Sequence, residues 1–361
     1  TKITKAIFDL YGSRFLWFPF AFSSSFCCQS LHRQRQYPIS QNPPPFCLLE
    51  GMVFGDFSSI CSKAPLPLCT LVKPLKGTQN VDTIYHGILP KCYARTVDLA
   101  NTLIFEIGTA FINLGNLVIL LMIIYLVRLR YTSVARKEMI FFFWSLISHT
   151  VITLIIDTGV SPPGSRTYAY FVAYEVGNTA VVCWSLLFAG LSSFNFWDDG
   201  SFQTIFSLYI SSAFVFIVNY LVAIFTFKGW GGGLQNDNTI ALYVFYFVLN
   251  AIMLGLWLVS QLIICCFTLV WNWWALGALF LTCFFFAASQ VLLYGFSEQI
   301  CLRLNHYVDG SLFSTLSTMF CFMMIYKFWD IITFDDDEYY RFTAFVPAVA
   351  NKQEASALLK N

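Results

Sequence analysis

LANTLIFEIGTAFINLGNLVILLMIIYLV (Leu99–Val127) is apolar on every helical face apart from one acid and three asparagines, and it runs directly into Arg128 and Arg130. About 20 apolar residues at a rise of about 1.5 Å cross a hydrocarbon core about 30 Å thick, so this stretch predicts a transmembrane helix. Six further runs of the same kind follow at Met139–Ile156, Tyr170–Phe196, Phe202–Phe227, Thr239–Val270, Ala275–Phe296 and Leu312–Ile332. Transmembrane strands would alternate in polarity over about ten residues, and these runs do not. The expected fold is therefore all-α, a polytopic membrane protein with a bundle of about seven transmembrane helices in a lipid bilayer. Composition agrees, with 57% hydrophobic and only 11% charged residues in 361. A soluble chain of that length could not hide so much apolar surface from water.

Orientation follows from the short connections. Arg128, Arg130, Arg136 and Lys137 all lie between the first and second runs, which predicts a cytoplasmic loop. Seven spans then place the segment before residue 99 outside the cytosol and the tail after Ile332 inside it. Tryptophans at 197, 230, 271, 273, 274 and 329 fall at the predicted interfaces, where amphipathic rings are favoured. The net charge of +1 and the lack of a basic stripe argue against a nucleic-acid partner.

The chain divides by composition. Residues 1–51 start at Thr1, pass through FLWFPFAF, the basic LHRQRQ and the proline-rich QNPPPF, and lead to Met52. Pro19 interrupts the apolar stretch, so the three-part pattern of a signal peptide is not met. This part reads as an extension outside the fold, with Met52 as the natural start. The remaining expected divisions are a segment at 52–98, the seven-span domain at 99–332 and an acidic tail at 333–361.

From Met52 onward a dozen short words stand in a fixed order: MVFGDFSSIC, APLPLC, GILPKCYAR, ARKE, IDTGVSPPG, YAYFVA, the DDG at Asp198–Gly200, TFKGW, VLNAI with VSQ, QVLLY, HYVDG and MMIYKFWD. In content and order this stretch, roughly Met52–Thr333, resembles the fungal chitin synthase export chaperones. The resemblance implies a seven-span protein of the endoplasmic reticulum membrane. It would help a chitin synthase catalytic subunit to fold and leave that compartment, so supporting cell-wall chitin synthesis. It implies neither an enzyme nor a cofactor.

On that topology Cys61, Cys69, Cys92 and Cys301 share the lumenal, oxidising side, and their even number predicts two disulfides. Spacing leaves three connectivities open. A bridge from the 52–98 segment to Cys301 would strap that segment over the bundle. A zinc site is not expected, because no CxxC pair occurs.

Ionisable residues within the expected spans are few: Glu106 in the first, His149 and Asp157 in the second, Glu175 in the third. With no Lys or Arg deep in a span, these should face the bundle interior or a partner helix. The plain reading is interhelical hydrogen bonding and helix-end capping, worth about 0.6 kcal/mol per contact. The sharper reading is a client or ligand site. In the tail, Asp335, Asp336, Asp337 and Glu338 resemble diacidic export signals read by vesicle coat proteins, the plain alternative being a solvated charge run.

Enzyme classes fail on residue requirements. Four histidines, one of them in a span, cannot build an intramembrane zinc hydrolase, and no lysine stands in the middle of the last span to carry retinal. The alternative class is a seven-span receptor or a transporter. Against the receptor, the third span ends in SFNFWDDG and the seventh in IYKFWD. Against the transporter, no inverted repeat is visible.

Overall fold

The computed structural model describes residues 55–73, 83–84, 87–94, 97–99, 102–104, 106–130, 133–194, 201–230, 238–268 and 273–333. All of them lie in the compact unit Met52–Asn361. The short leading elements are helix α1 (Ser58–Cys61), a 3-10 turn (Pro67–Thr70) and two antiparallel ribbons. The first ribbon pairs β1 (Thr83–Ile84) with β2 (Gly87–Ile88), and the second pairs β3 (Val97–Leu99) with β4 (Thr102–Ile104).

Seven helices long and apolar enough to cross a membrane follow: α2 (Ile107–Leu129), α3 (Arg136–Asp157), α4 (Tyr168–Ser192), α5 (Phe202–Lys228), α6 (Ile240–Cys266), α7 (Trp273–Tyr294) and, after the short α8 (Ser297–Arg303), α9 (Gly310–Thr333). The fold is all-α, and each span matches an apolar run within a few residues except at one point. The first helix begins at Ile107 and not at Leu99, because Val97–Leu99 pairs antiparallel with Thr102–Ile104 as the β3–β4 ribbon. Hydropathy alone does not distinguish an apolar ribbon from a helix end. Glu106 consequently stands in front of α2 as its N-cap residue and not inside the span.

Helix α4 is the centre of the bundle. Two thirds of its apolar window is buried, against 22–39% for the other six. Small residues explain this: Ala169, Ala173, Ala180, Ala189 and Gly190 are buried along it, so backbones approach closely, as is usual for helices packed in lipid. At Gly190 an added Cβ would lie 2.6 Å from Gln261 Nε2 and 2.7 Å from Trp257 Cδ1, so the α4–α6 crossing admits no side chain there. Two π-helical turns, Val244–Leu249 and Ile264–Thr268, interrupt the regular winding of α6.

The ring closes between the first and last spans. At one end Arg130 Nη2 lies 2.7 Å from Asp330 Oδ1 on α9, Lys327 Nζ lies 3.1 Å from Asp330 Oδ2, and Trp329 Nε1 donates to the Val134 carbonyl. We call this the basic end. At the opposite end Thr109 on α2 and Ser311 on α9 are hydrogen bonded at 3.0 Å. Helices α7 and α9 meet through hydroxyls, with Ser289 bonded to Ser314 and Thr318 and Ser317 donating to the Phe285 carbonyl.

The leading segment covers this second, capped end. Phe57, Leu68, Val72 and Ile88 are buried in one apolar cluster with Tyr168, Val172 and Val176 of α4, Ala223 and Ile224 of α5, and Leu242 of α6. Tyr168 donates its hydroxyl to the Pro67 carbonyl, and Thr239 donates to the Gly55 carbonyl. A separate cluster around Phe142, Phe143, Leu186, Leu279 and Phe328 fills the bundle toward the basic end.

Candidate functional site

The most polar part of the interior lies just beneath the cap. Glu106, as N-cap of α2, and Asp309, directly before α9, converge on the hydroxyl of Ser311, which lies 2.8 Å from Glu106 Oε2 and 2.5 Å from Asp309 Oδ1. A serine hydroxyl has one proton to donate. It therefore donates to only one of the two carboxyls at a time. Burial pushes the Glu106 carboxyl well above the usual carboxylate range. The negative charges of Asp309 and Asp157 push the same way, against the hydrogen bonds from Ser311 and Thr109. The second oxygen of Asp309 is buried without a hydrogen-bond partner among the described residues.

Two turns beyond Glu106, Asn113 of α2 donates to Asp157 Oδ2 at 3.1 Å, joining α2 to the last residue of α3. Asn116 continues the seam toward Thr150, at 3.5 Å. Glu175 on α4 lies within electrostatic reach of Asp157 and of Tyr246, which stands in the first π-helical turn of α6. Its carboxyl forms no ion pair or hydrogen bond among the described residues. Glu106, Asp157 and Glu175 therefore lie in one layer, joined by Asp309. His149 is apart, two turns down α3, half-buried, with a buried Nδ1 that finds no partner among the described residues.

Three of these participants, Thr109, Asp309 and Ser311, were not singled out in the sequence. Asp309 stands in the word HYVDG at the mouth of the last apolar run, and an acid at a helix entrance was the available signal.

In the structure Cys61 is joined to Cys69 and Cys92 to Cys301, with Cα separations of 5.6 and 6.0 Å. The second bridge spans 209 residues and fastens the leading segment to α8. The exposed Lys91, 3.6 Å from Glu298 of α8, adds a weak ion pair at the same junction. The acid run Asp335–Glu338 lies outside the described residues.

Near the basic end a cavity of about 80 Å³, lined among others by Gly190, Trp257, Gln261, Phe328, Trp329 and Thr333, separates α4, α6 and α9. It has room for several waters. That space is far too small for a drug-sized ligand.

Seven apolar helices with a strapped cap and an interior acid layer define a multi-pass membrane protein whose described residues present no catalytic constellation. A family model described as chitin synthase export chaperone matches residues 53–340, and the chain belongs to this family. A relative from Candida albicans, named a chitin synthase export chaperone, is 48% identical over 289 residues, which is 80% of this chain and 92% of its own length. Relatives of the same name from Debaryomyces hansenii and Saccharomyces cerevisiae are 46% and 43% identical, each over 80% of this chain and over 92% and 95% of their own. No solved structure matches the chain.

Proposed function

We propose that this protein is a noncatalytic chaperone of the endoplasmic reticulum membrane that binds a chitin synthase catalytic subunit and assists its folding and export. The observation that carries the reading is family membership over 53–340, which takes in all seven spans. In this reading the basic end faces the cytosol, as Arg128, Arg130, Arg136 and Lys137 direct, and the disulfide-bearing cap faces the lumen.

The mechanism follows from the physics of polar groups in lipid. A synthase that passes a sugar polymer through a bilayer carries transmembrane helices with polar faces, and each unsatisfied group exposed to hydrocarbon costs several kcal/mol. A bundle with its own polar layer can occupy such faces until the client's helices have found one another. The acids Glu106, Asp157 and Glu175 are the groups assigned to client contact, and Asp335–Glu338 are assigned to coat-protein recognition during export. Affinity isolation in mild detergent tests the reading, with a chitin synthase expected as the dominant stoichiometric companion. Isolation of the protein with no synthase, from cells that make both, would overturn it.

A further inference from the structure

The two disulfides differ in one respect. His306 lies against the second: its Nδ1 is 3.3 Å from Cys92 Sγ and 3.8 Å from Cys301 Sγ. Local backbone geometry holds it there. Helix α8 ends at Arg303, Asn305 and His306 both adopt positive φ (50° and 64°), and the His306 N–H returns to the carbonyl of Cys301 at 3.1 Å. This return, in the manner of a Schellman closure, folds the ring back over the residue that forms the bridge. Consecutive left-handed residues other than glycine are costly, and such conformations cluster where a side chain must be held in place.

The tautomer follows from a third contact. His306 Nδ1 is also 3.3 Å from the Tyr93 carbonyl oxygen, which can only accept. Nδ1 therefore carries its proton, and that proton points at Tyr93 O and Cys92 Sγ together. Cys61–Cys69 has no histidine in a comparable place among the described residues.

We propose that His306 makes Cys92–Cys301 a thiol–disulfide exchange site, for a partner bearing a dithiol, with His306 as proton donor to the departing Cys92 sulfur. A thiolate of the partner attacks Cys301 Sγ, forming a mixed disulfide as the Cys92–Cys301 bond breaks. The electron pair of that bond stays on Cys92 Sγ, which takes the Nδ1 proton of His306. The ring's Nε2 has no partner among the described residues and the side chain is exposed, so water supplies a proton at Nε2 as Nδ1 gives its own up, and the ring stays neutral. The partner's second thiol, as thiolate, then attacks its own bonded sulfur and releases Cys301, which is protonated from water. The partner ends as a disulfide and this protein as two thiols. Stabilising the leaving thiolate speeds such exchange. The consequence is release of the strap between the leading segment and α8, and it requires no client.

Cys61–Cys69 provides a control matched in burial though not in loop length, 8 residues against 209, since the four cysteines are exposed by only 0, 1, 2 and 0% in chain order. Both bonds need local opening before attack, so burial does not separate them. The test is a timed pulse of dithiothreitol on the intact, detergent-solubilised protein, followed by alkylation and mass spectrometry of each pair. Cys92–Cys301 should be reduced at least about tenfold faster than Cys61–Cys69, a conservative value beside the roughly 10²–10⁴ that a positioned general acid contributes. In His306→Asn, which tolerates positive φ, the ratio of the two rates should fall toward one. A merely structural His306 predicts the opposite sign, because loosening the turn would expose the bond and speed its reduction. Equal rates in the unaltered protein, or a variant reduced as fast or faster, would overturn the proposal. Where His306→Asn does not fold, His306→Gln is read in its place, with the same expected fall in the ratio.

Discussion

Glu106 shows what a single carboxyl can do at a helix entrance under a protein cap. Its folded-state affinity for a proton is raised by burial first and by Asp309 and Asp157 second, so the native state binds more protons than the unfolded chain. For an acid the sign is then fixed. Stability is full below the ordinary carboxylate range and declines as pH rises from there toward the raised native value. Glu106→Gln keeps a hydrogen-bonding group at Ser311 and removes the titration. Thermal unfolding in detergent at pH 6 and pH 8 should show a smaller loss across that interval in the variant than in the unaltered protein. An unchanged difference between the two temperatures would mean that Glu106 does not take up a proton more readily in the folded protein than in the unfolded chain. Asp309→Asn probes the same pair from the other side, and it should leave Ser311 a neutral acceptor in place of a carboxyl.

At the scale of helices, the α4–α6 crossing and the α2–α9 closure are the contacts most open to single changes. Gly190→Ala forces a methyl into Gln261 and Trp257, both buried, and overpacking of this kind costs about 1–3 kcal/mol. The reading is a lower unfolding temperature with unchanged helical circular dichroism at 20 °C. The Arg130–Asp330 pair is partly solvated, with side-chain exposures of 36% and 12%. A double-mutant cycle of Arg130→Ala with Asp330→Asn should therefore return a coupling of only about 0.2–1 kcal/mol. These elements differ in how far the sequence announced them. Seven runs of all-round apolar residues fixed the number and order of the spans, because lipid forces every backbone group into a helix. Which faces meet was hidden, since helices apolar all round carry no amphipathic stripe to point inward. Asp157 and Glu175 were legible as costly groups needing company, whereas Asp309 and Ser311 were not. Their role comes from α9 returning beside α2, a closure between residues about 200 apart. The β3–β4 ribbon is hidden for a related reason: VDLANTLI is as apolar as a helix end, and hydropathy does not show that Val97 pairs with Ile104.

For the whole molecule, the disulfide strap and the orientation are linked. A probe cysteine at Ser133, in the α2–α3 loop, should be labelled from the cytosolic side, while one at Ser165, before α4, should be spared. Reversed labelling would place the disulfides in a reducing compartment and undo both assignments together. The Cys92–Cys301 bridge closes a loop of 209 residues, so its removal by Cys301→Ser should cost about 2–5 kcal/mol and loosen the cap before the bundle.

Client dependence is the test that reaches furthest. The leading segment buries Phe57, Val72 and Ile88 against three of the spans, so cap and bundle form one unit, and besides the acids assigned to client contact a partner meets the lipid-facing side of the helices. That surface is broad: Phe206, Phe214, Phe280 and Phe284 are all exposed by more than half, on α5 and α7, two of the least buried spans. A partner that meets this protein within the bilayer gains no hydrophobic free energy over lipid, and association there must come from close packing and polar contacts. Cells lacking the protein should keep the chitin synthase transcript but hold the synthase polypeptide in the endoplasmic reticulum, aggregated through helices whose polar groups pair with one another. Chitin made by that synthase should fall with it. Replacing Asp157 or Glu175 by the corresponding amide should weaken co-isolation of the synthase while leaving the unfolding temperature within a few degrees. A receptor would instead show ligand-dependent coupling to a cytosolic protein and leave synthase location untouched. Delivery of the synthase to the cell surface at normal levels in the deletion strain, with no second copy of the family in the genome, would end the chaperone reading.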